Sequence, residues 1–168
     1  MSKTEIIAAA EISFSNFSEY CKTVPESAFF KRPENKWSVA ENLQHLVIST
    51  NTTTLAYALP KFIVQWIAGK PNRNSRSYEE TKNKYYKKLE EGGTASSRFV
   101  PRPIEINYGK QKLLDNWNKA TAKFINKLTK NRTEKDLDSY LVKHPLLGRI
   151  TLRELCYFTI FHTEHHLQ

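Results

Sequence analysis

The segment from Leu152 to Phe161 constrains the fold more than any other part of this sequence. Its side chains are apolar nearly all round a helix. Thr151 and Glu154 have the spacing of a capping box, in which each side chain accepts a hydrogen bond from the other residue's backbone N–H. A helix that is apolar on almost every side has to be surrounded by other elements. We therefore expect a helical bundle with this helix at its centre.

Several other segments carry equally clear helix signals. Capping-box spacings occur at Ser2 and Glu5, at Ser38 and Glu41, and at Ser77 and Glu80. Between Lys110 and Lys130, apolar side chains form one stripe opposite lysines and asparagines. With 168 residues and only five glycines, the chain predicts a single all-α domain over residues 1–168. We assign to the core, and not to a site, Tyr57, Tyr85, Tyr157 and Trp66.

Prolines divide the rest of the chain into shorter pieces. Pro60 ends or kinks the second helix, because proline lacks a backbone N–H and clashes with the preceding turn. A short apolar helix follows over residues 62–67. The segment 94–109 contains Pro101 and Pro103, which favours an extended loop over a paired strand. So long a connection is unusual in a compact domain and predicts a wall or lid over a cavity.

The net charge of +9, from 26 basic and 17 acidic residues, bears on which partners the protein could bind. Such a surplus allows binding to nucleic acid or attraction of anionic substrates. The lysines are scattered, however, and the densest stretch, residues 82–88, is interleaved with tyrosines as on a helix with a solvated face. We interpret the charge as a lysine-rich surface and do not expect nucleic acid as a partner.

The sequence also bounds the compartment. Its apolar runs are too short to span a bilayer, so no membrane segment is expected. The first residues lack the basic region and long apolar stretch of a secretion signal. Cys21 and Cys156 are far apart in apolar contexts, so we expect buried, reduced thiols without a chemical role. These features predict a cytoplasmic protein.

Histidines near the end of the central helix are the strongest candidates for a functional site. His162 and His166 are four residues apart and therefore share one helix face. Two imidazoles so placed can bind one metal ion, and neutral imidazole suits zinc, nickel, copper or iron. His165 is an alternative to His166. Because the sequence stops at Gln168, both fall in a last turn, which holds a ligand poorly, and the choice stays open.

His45 in the second helix is the candidate for a third ligand. It lies on a polar stripe that includes Asn42, Ser49 and Thr52 or Thr53. An unpaired buried polar group costs about 1–3 kcal/mol, so this stripe either faces water or lines a pocket. Thr159 is also polar and lies on the same face of the last helix as His162. The two polar stripes are therefore expected to form two walls of one site. The alternatives are that His45 is a hydrogen-bonded core residue and that the terminal histidines are solvated.

Two stretches resemble the signatures of the DinB/YfiT-like family. The first, residues 36–46, contains Trp37, the helix cap Ser38 and the pair His45-Leu46. The second, residues 144–154, begins His144-Pro145-Leu146-Leu147-Gly148 and leads to His162 and His166. The stretches occur in the order found in the family, and the resemblance spans nearly the whole chain.

The resemblance implies a fold and a metal site. The fold is an all-α four-helix bundle in up-down-down-up order, commonly dimeric, to which this chain adds short extra helices and one long loop. The site holds a divalent metal ion, zinc or nickel, on one histidine of the second helix and two of the last. By position these ligands are His45, His162 and His166. Family members include thiol-dependent transferases and isomerases, and metal-dependent hydrolases.

Two hypotheses of function follow. The first is a metal-dependent thiol S-transferase or hydrolase acting on a small molecule, with a low-molecular-weight thiol as a candidate partner, because a metal with an open position activates a thiol or water. No general base is assigned, since Glu41 is explained as a capping partner and Glu164 as a surface residue. The second is a non-catalytic homodimeric bundle with a structural or vestigial metal. An open site beside a pocket would favour the first.

Overall fold

The computed structural model describes residues 1–34 and 36–167, and this part of the chain is mostly helical. In chain order its elements are α1 (Lys3–Thr23), α2 (Glu26–Phe29), α3 (Val39–Ala58), α4 (Lys61–Ala68), α5 (Tyr78–Glu90), α6 (Lys110–Asn131), α7 (Glu134–Ser139), β1 (Leu141–His144), β2 (Gly148–Thr151) and α8 (Leu152–His165). The all-α bundle with short extra helices is confirmed. Gln168, at which the predicted last helix stops, lies outside the described residues.

Hydrogen bonds at the helix ends give the directions of α1, α3 and α6. Lys110, at the start of α6, donates to the carbonyl of Val24 just after α1, with an N···O distance of 2.6 Å, so these two helices are antiparallel. Asn131, at the end of α6, donates to the carbonyl of Tyr57 near the end of α3. Helices α3 and α6 are therefore parallel to each other and antiparallel to α1.

Helix α8 runs parallel to α1 and is buried along its length. Arg153, in its first turn, donates to the carbonyl of Met1, and the carbonyl of Ile160 accepts from Ser13 in α1. Each residue from Leu152 to Thr163 is buried. The four long helices thus run up-down-down-up, and the predicted central position of the last helix is confirmed.

Aromatic side chains fill the core between α1, α3 and α6. Trp117 of α6 meets Phe14 and Phe17 of α1 edge to face, with ring centroids 5.3 and 5.6 Å apart, and its indole N–H donates to the carbonyl of Phe14. Phe124 makes the same type of contact with Tyr57 of α3. Such edge-to-face pairs add about 0.5–1.5 kcal/mol each beyond the area they bury.

The long loop predicted over residues 94–109 is confirmed as a connection between α5 and α6. It contains one-turn 3₁₀-helices at Ser97–Phe99 and Ile106–Tyr108 and no strand within the described residues. Val100 follows the first turn with an extended backbone and is 45% exposed. The loop is thus held by local turns and by its contacts with the bundle.

A two-stranded hairpin stands where the sequence was interpreted as a polar linker. Strands β1 and β2 pair antiparallel, with Leu141 opposite Thr151 and His144 opposite Gly148. Gly148 has φ +75°, as a three-residue hairpin connection requires. The imidazole of His144 closes the turn, because its Nδ1 accepts from the N–H groups of Leu146 and Leu147 at 3.2 and 3.1 Å. The short strands and this side-chain contact explain why periodicity missed the hairpin.

Helix α4 exposes apolar side chains on the side that faces away from the bundle. It buries Val64 and Ala68, whereas Phe62 and Trp66 are 72% and 86% exposed. The assignment of Trp66 to the core was therefore wrong, because a helix this short buries only one face. Among the helices of the described residues, none combines the length and the apolar character needed to cross a membrane.

Candidate metal centre

His45 is fixed by a hydrogen bond to the long loop. Its ring lies in α3 and is 4% exposed, and its Nδ1 is 2.8 Å from the carbonyl oxygen of Phe99. Because a carbonyl oxygen only accepts, Nδ1 carries the proton and Nε2 keeps its lone pair. That Nε2 lies 3.1 Å from Nε2 of His162. The loop therefore sets both the tautomer and the direction of this nitrogen.

Helix α8 supplies the other two imidazoles. His162 is buried and stacks on Phe158, with ring centroids 4.7 Å apart and an angle of 20° between the planes. His166 is the C-cap residue of α8, and its ring centroid lies 4.9 Å from that of His162. The carbonyl groups at a helix C-terminus carry a partial negative charge, which favours a cation beside them.

The geometry of these three rings fits a divalent metal ion. One nitrogen each from His45, His162 and His166 lies within 4.8 Å of the other two. In a tetrahedral zinc site with Zn–N bonds of about 2.0–2.1 Å, two nitrogens lie about 3.3 Å apart. A set of three imidazoles suits zinc, nickel, copper or iron, so the arrangement does not identify the metal.

His165 takes a different position from His166. Its ring lies against Tyr86 of α5, with centroids 5.7 Å apart, and it is not in the group of three. Its Nδ1 is buried and has no hydrogen-bond partner among the residues that the structure describes. The geometry therefore favours His166, and the identity of the ligands stays a prediction.

Burial keeps the clustered imidazoles neutral. Desolvation lowers the pKa of His45, and it lowers the pKa of His166 to about 3, with a smaller contribution from His45. The pKa of His162 is well below its usual value, first through burial and then through the neighbouring histidines. Only neutral imidazole has a lone pair to offer a metal, so the cluster is ready to bind one at neutral pH.

Comparison with known proteins agrees with this architecture. The sequence model of the DinB superfamily matches residues 9–168. The chain belongs to the DinB superfamily. A search of curated proteins finds no match. The resemblance seen in the two sequence stretches is thereby confirmed, and family membership together with the three-histidine group is compatible with a metal-binding enzyme.

A cavity of about 890 Å³ lies beside the three histidines of this DinB protein, and all three line it. Helices α3, α4, α5 and α8, the hairpin and the long loop form its walls. Apolar lining residues include Val64, Leu89, Val142, Leu155 and Phe158. A volume of this size accommodates a small molecule. The prediction that the long loop forms a wall agrees with the positions of Thr94 and Phe99 on the lining.

The polar stripes predicted on α3 and α8 are correct only in part. Ser49 and Thr53 line the cavity with His45. Asn42 instead donates to the carbonyl of Ser38, the N-cap residue of α3. Thr159 donates to the carbonyl of Leu155 within α8 and does not reach the lining. Its hydroxyl is satisfied by its own helix, which is the common alternative for a buried threonine.

Neither of the carboxylates considered from the sequence lies on the cavity. Glu41 accepts from the backbone N–H of Ser38, as its capping-box spacing predicts, and also from Arg32. Glu164 accepts from the hydroxyl of Tyr78 in α5 and does not line the cavity. Within the described residues, no aspartate or glutamate lines the cavity, so the site has no carboxylate to act as a base.

Among the lining residues that sequence reasoning missed, three are polar or aromatic side chains of interest. Tyr85 was assigned to the core, and it does pack on Phe158, but it also lines the cavity. His144 and Arg98 line it as well. The signal for His144 was its place before a proline and a hairpin glycine. Arg98 carried no signal, because only the fold of the loop brings it to the cavity.

Proposed function

We propose that this DinB superfamily member is a metal-dependent enzyme that transfers a low-molecular-weight thiol to a small electrophile. The observation that carries the proposal is that His45, His162 and His166 form one group and all three line a cavity. These three imidazoles would hold a divalent ion, which would supply a lowered pKa to a bound thiol or water.

The protein's own groups orient the site and exclude water. The carbonyl of Phe99 holds the proton of His45 on Nδ1, so Nε2 is available. Phe158 stacks on His162 and restricts its rotation. Leu155 and Val142 contribute apolar walls, which strengthen electrostatic interactions inside the cavity by displacing water.

The absence of carboxylates from the described lining favours thiol transfer over hydrolysis. A free thiol has a pKa of about 8.5, whereas bulk water has a pKa of about 15.7. A thiol therefore needs less help from a base than water does, and a coordinating thiol loses its proton outright. Hydrolysis is the second outcome that an activity screen has to test.

A cavity beside the cluster also supports an enzyme over a non-catalytic bundle. A structural zinc site is closed by four protein ligands, whereas the described residues offer three. Homodimer formation remains a prediction.

Metal content is the first test. We expect about one zinc or nickel ion per chain in tag-free protein by elemental mass spectrometry, and a loss of it in His45→Ala and His162→Ala. The matched control is His165→Ala, which removes a neighbouring imidazole outside the group of three. If the wild type binds no metal after incubation with zinc and nickel, the proposal is wrong. If His165→Ala loses the metal and His166→Ala keeps it, the ligand assignment is wrong.

Activity is the second test. Metal-loaded protein is incubated with cysteine or glutathione and 1-chloro-2,4-dinitrobenzene, and in parallel with p-nitrophenyl acetate. We expect thioether formation to fall to the uncatalysed rate in His162→Ala and to persist in His165→Ala. Ester hydrolysis without thioether formation would show that the enzyme is a hydrolase and not a thiol transferase. Neither activity in a protein that holds its metal would favour a non-catalytic role.

A further inference from the structure

The charged side chains on the cavity wall are all basic. Among the described lining residues, only Arg98 and Lys143 carry a permanent charge, and no aspartate or glutamate accompanies them. Arg98 comes from the long loop and Lys143 from β1, and both side chains are exposed. Neither forms an ion pair within the described part of the chain, where the pairs involve other residues. Their positive charges are therefore available to a ligand.

His144 adds a neutral donor to the same lining, within electrostatic reach of Arg98. Its Nδ1 accepts from the N–H groups of Leu146 and Leu147, and an N–H group only donates, so the ring proton is on Nε2. Burial and, to a smaller extent, the charge of Arg98 lower the pKa of His144 to about 4. The ring is thus uncharged at neutral pH, and it is within electrostatic reach of Arg98. No residue in the described chain pairs with Nε2.

An aromatic ring connects this end of the cavity with the histidine cluster. The ring centroid of Phe158 lies 4.2 Å from that of His144 and 4.7 Å from that of His162. A ligand lying along Phe158 therefore reaches from the basic end to the three-histidine group.

We propose that Arg98, Lys143 and His144 form a subsite for the oxyanion group, carboxylate or phosphate, of a small substrate. The apolar part of that substrate lies along Phe158, and its reacting atom is directed to the three-histidine cluster. Guanidinium binds a carboxylate or phosphate through two parallel hydrogen bonds. The subsite rests on the proposed function for the direction of the substrate, but the binding of an anion does not depend on a metal.

Calorimetric titration of benzoate, phenylphosphonate and benzamide tests the subsite by binding alone. The titrations use chelator-treated wild type, so that no anion can bind to a metal. We expect the two anions to bind, more weakly as salt rises, and benzamide to bind at least about ten-fold more weakly. Tighter binding of phenylphosphonate would assign the subsite to a phosphate, and tighter binding of benzoate to a carboxylate. Equal binding of benzoate and benzamide would overturn the proposal.

Charge-matched variants locate the subsite. We expect Arg98→Ala and Lys143→Ala each to weaken anion binding about ten-fold. The controls are Arg102→Ala, on the same loop, and Arg149→Ala, on the same hairpin, which remove one charge each outside the cavity lining. Equal affinities in Arg98→Ala and Arg102→Ala would contradict the assignment.

The variant His144→Asn separates the two roles of this side chain, which are donation to the anion and closure of the hairpin turn. The asparagine carbonyl can replace Nδ1 as the acceptor that closes the hairpin, whereas the Nε2–H donor is lost. We expect an unchanged melting temperature and about ten-fold weaker benzoate binding; unchanged binding would remove His144 from the subsite. If the wild type holds no metal but these variants still lose the anion, the proposed function fails and the subsite stands. If the wild type holds a metal ion but the variants bind the anion as tightly as the wild type does, the subsite is wrong and only the metal site stands.

Discussion

Glu154 is a buried carboxylate held by groups from two other segments. It is 0% exposed, and it accepts from both terminal nitrogens of Arg73, at 2.6 and 2.8 Å. The backbone N–H groups of Arg76 and Thr151 donate to it as well. Burial raises the pKa of Glu154, but these hydrogen bonds outweigh it and leave the pKa below its usual value. One side chain thus joins the loop before α5 to the start of α8.

Replacing Arg73 with alanine removes the two charged hydrogen bonds and leaves the backbone partners. We expect the free energy of unfolding at pH 7 to fall by about 2–3 kcal/mol, measured by urea denaturation. The pKa of Glu154 is lower in the folded state, so its contribution is present above the unfolded value of about 4.3 and is lost as pH falls through the folded value. The difference between wild type and variant should therefore shrink below about pH 4.

The control for Arg73→Ala is Lys22→Ala. Lys22 pairs with Glu19, and both side chains are more than half exposed, at 54% and 64%. An exposed pair contributes about 0–1 kcal/mol. Equal destabilisation by the two variants would show that burial of Glu154 adds nothing.

The two thiols give a prediction about reactivity. Burial raises the pKa of both Cys21 and Cys156 to about 12, and only the thiolate is nucleophilic. We expect iodoacetamide at pH 8 to leave both unmodified in the native protein and to modify both in guanidinium chloride, by intact-mass spectrometry. Rapid modification of the native protein would mean that one thiol is accessible.

At the scale of single residues, the sequence predicted those site residues whose spacing along a helix places them on one face. His162 and His166 share a helix face by arithmetic, and the structure brings both to His45. Arg98 and His144 were not predicted as parts of the cavity, because a loop and a hairpin place them there. No periodicity along the chain encodes that placement.

At the scale of elements, local capping chemistry decided what was predictable. The boxes at Ser2, Ser38, Ser77 and Thr151 are all formed in the structure. The box that opens α7 pairs Thr133 with Asp136 and was missed, because the usual partner is glutamate or glutamine. The hairpin was missed because its four-residue strands are too short for a reliable alternation.

Gly148→Ala tests the hairpin as an element. The glycine has φ +75°, and a Cβ built there meets nothing within 4 Å, so the cost is backbone strain alone. We expect a loss of about 1–2 kcal/mol, or about 2–8 °C in melting temperature for a chain of this size. Gly148→Asn is the control, because asparagine tolerates this conformation better. A stabilised alanine variant would mean that the turn relaxes to another conformation.

At the scale of the whole molecule, the aromatic contacts between α1 and α6 lie apart from the histidine cluster, although Phe158 of the same core stacks on His162. The packed aromatics Phe14, Trp117 and Phe124 lie among α1 and α6, whereas the cluster lies between α3 and the end of α8. The up-down-down-up order was predictable only through the family resemblance, since helix directions depend on contacts far apart in sequence. This separation predicts that the fold does not require metal, unlike a zinc finger.

Chelation should therefore leave the helical circular dichroism spectrum unchanged. A metal ion at about a hundred times its Kd adds about 2.7 kcal/mol, which raises the melting temperature of a chain this size by about 5–10 °C. His45→Ala is the control and should melt at one temperature with or without metal. Loss of helical signal on chelation would contradict the separation of core and site.

The hydrogen bond between His45 and the carbonyl of Phe99 connects the proposed metal site to the long loop that carries Arg98. Metal binding and anion binding would therefore be coupled through this loop. A metal ion bound at Nε2 of His45, as proposed, would strengthen the Nδ1–H group as a donor and would thereby steady Phe99 together with its neighbour Arg98. Thermodynamic reciprocity then requires that an anion at Arg98 raise the affinity for metal by the factor by which metal raises the affinity for the anion. If both proposals hold, the protein would release a bound metal ion more readily when the anionic substrate is scarce, and metal occupancy in the cell would follow substrate supply.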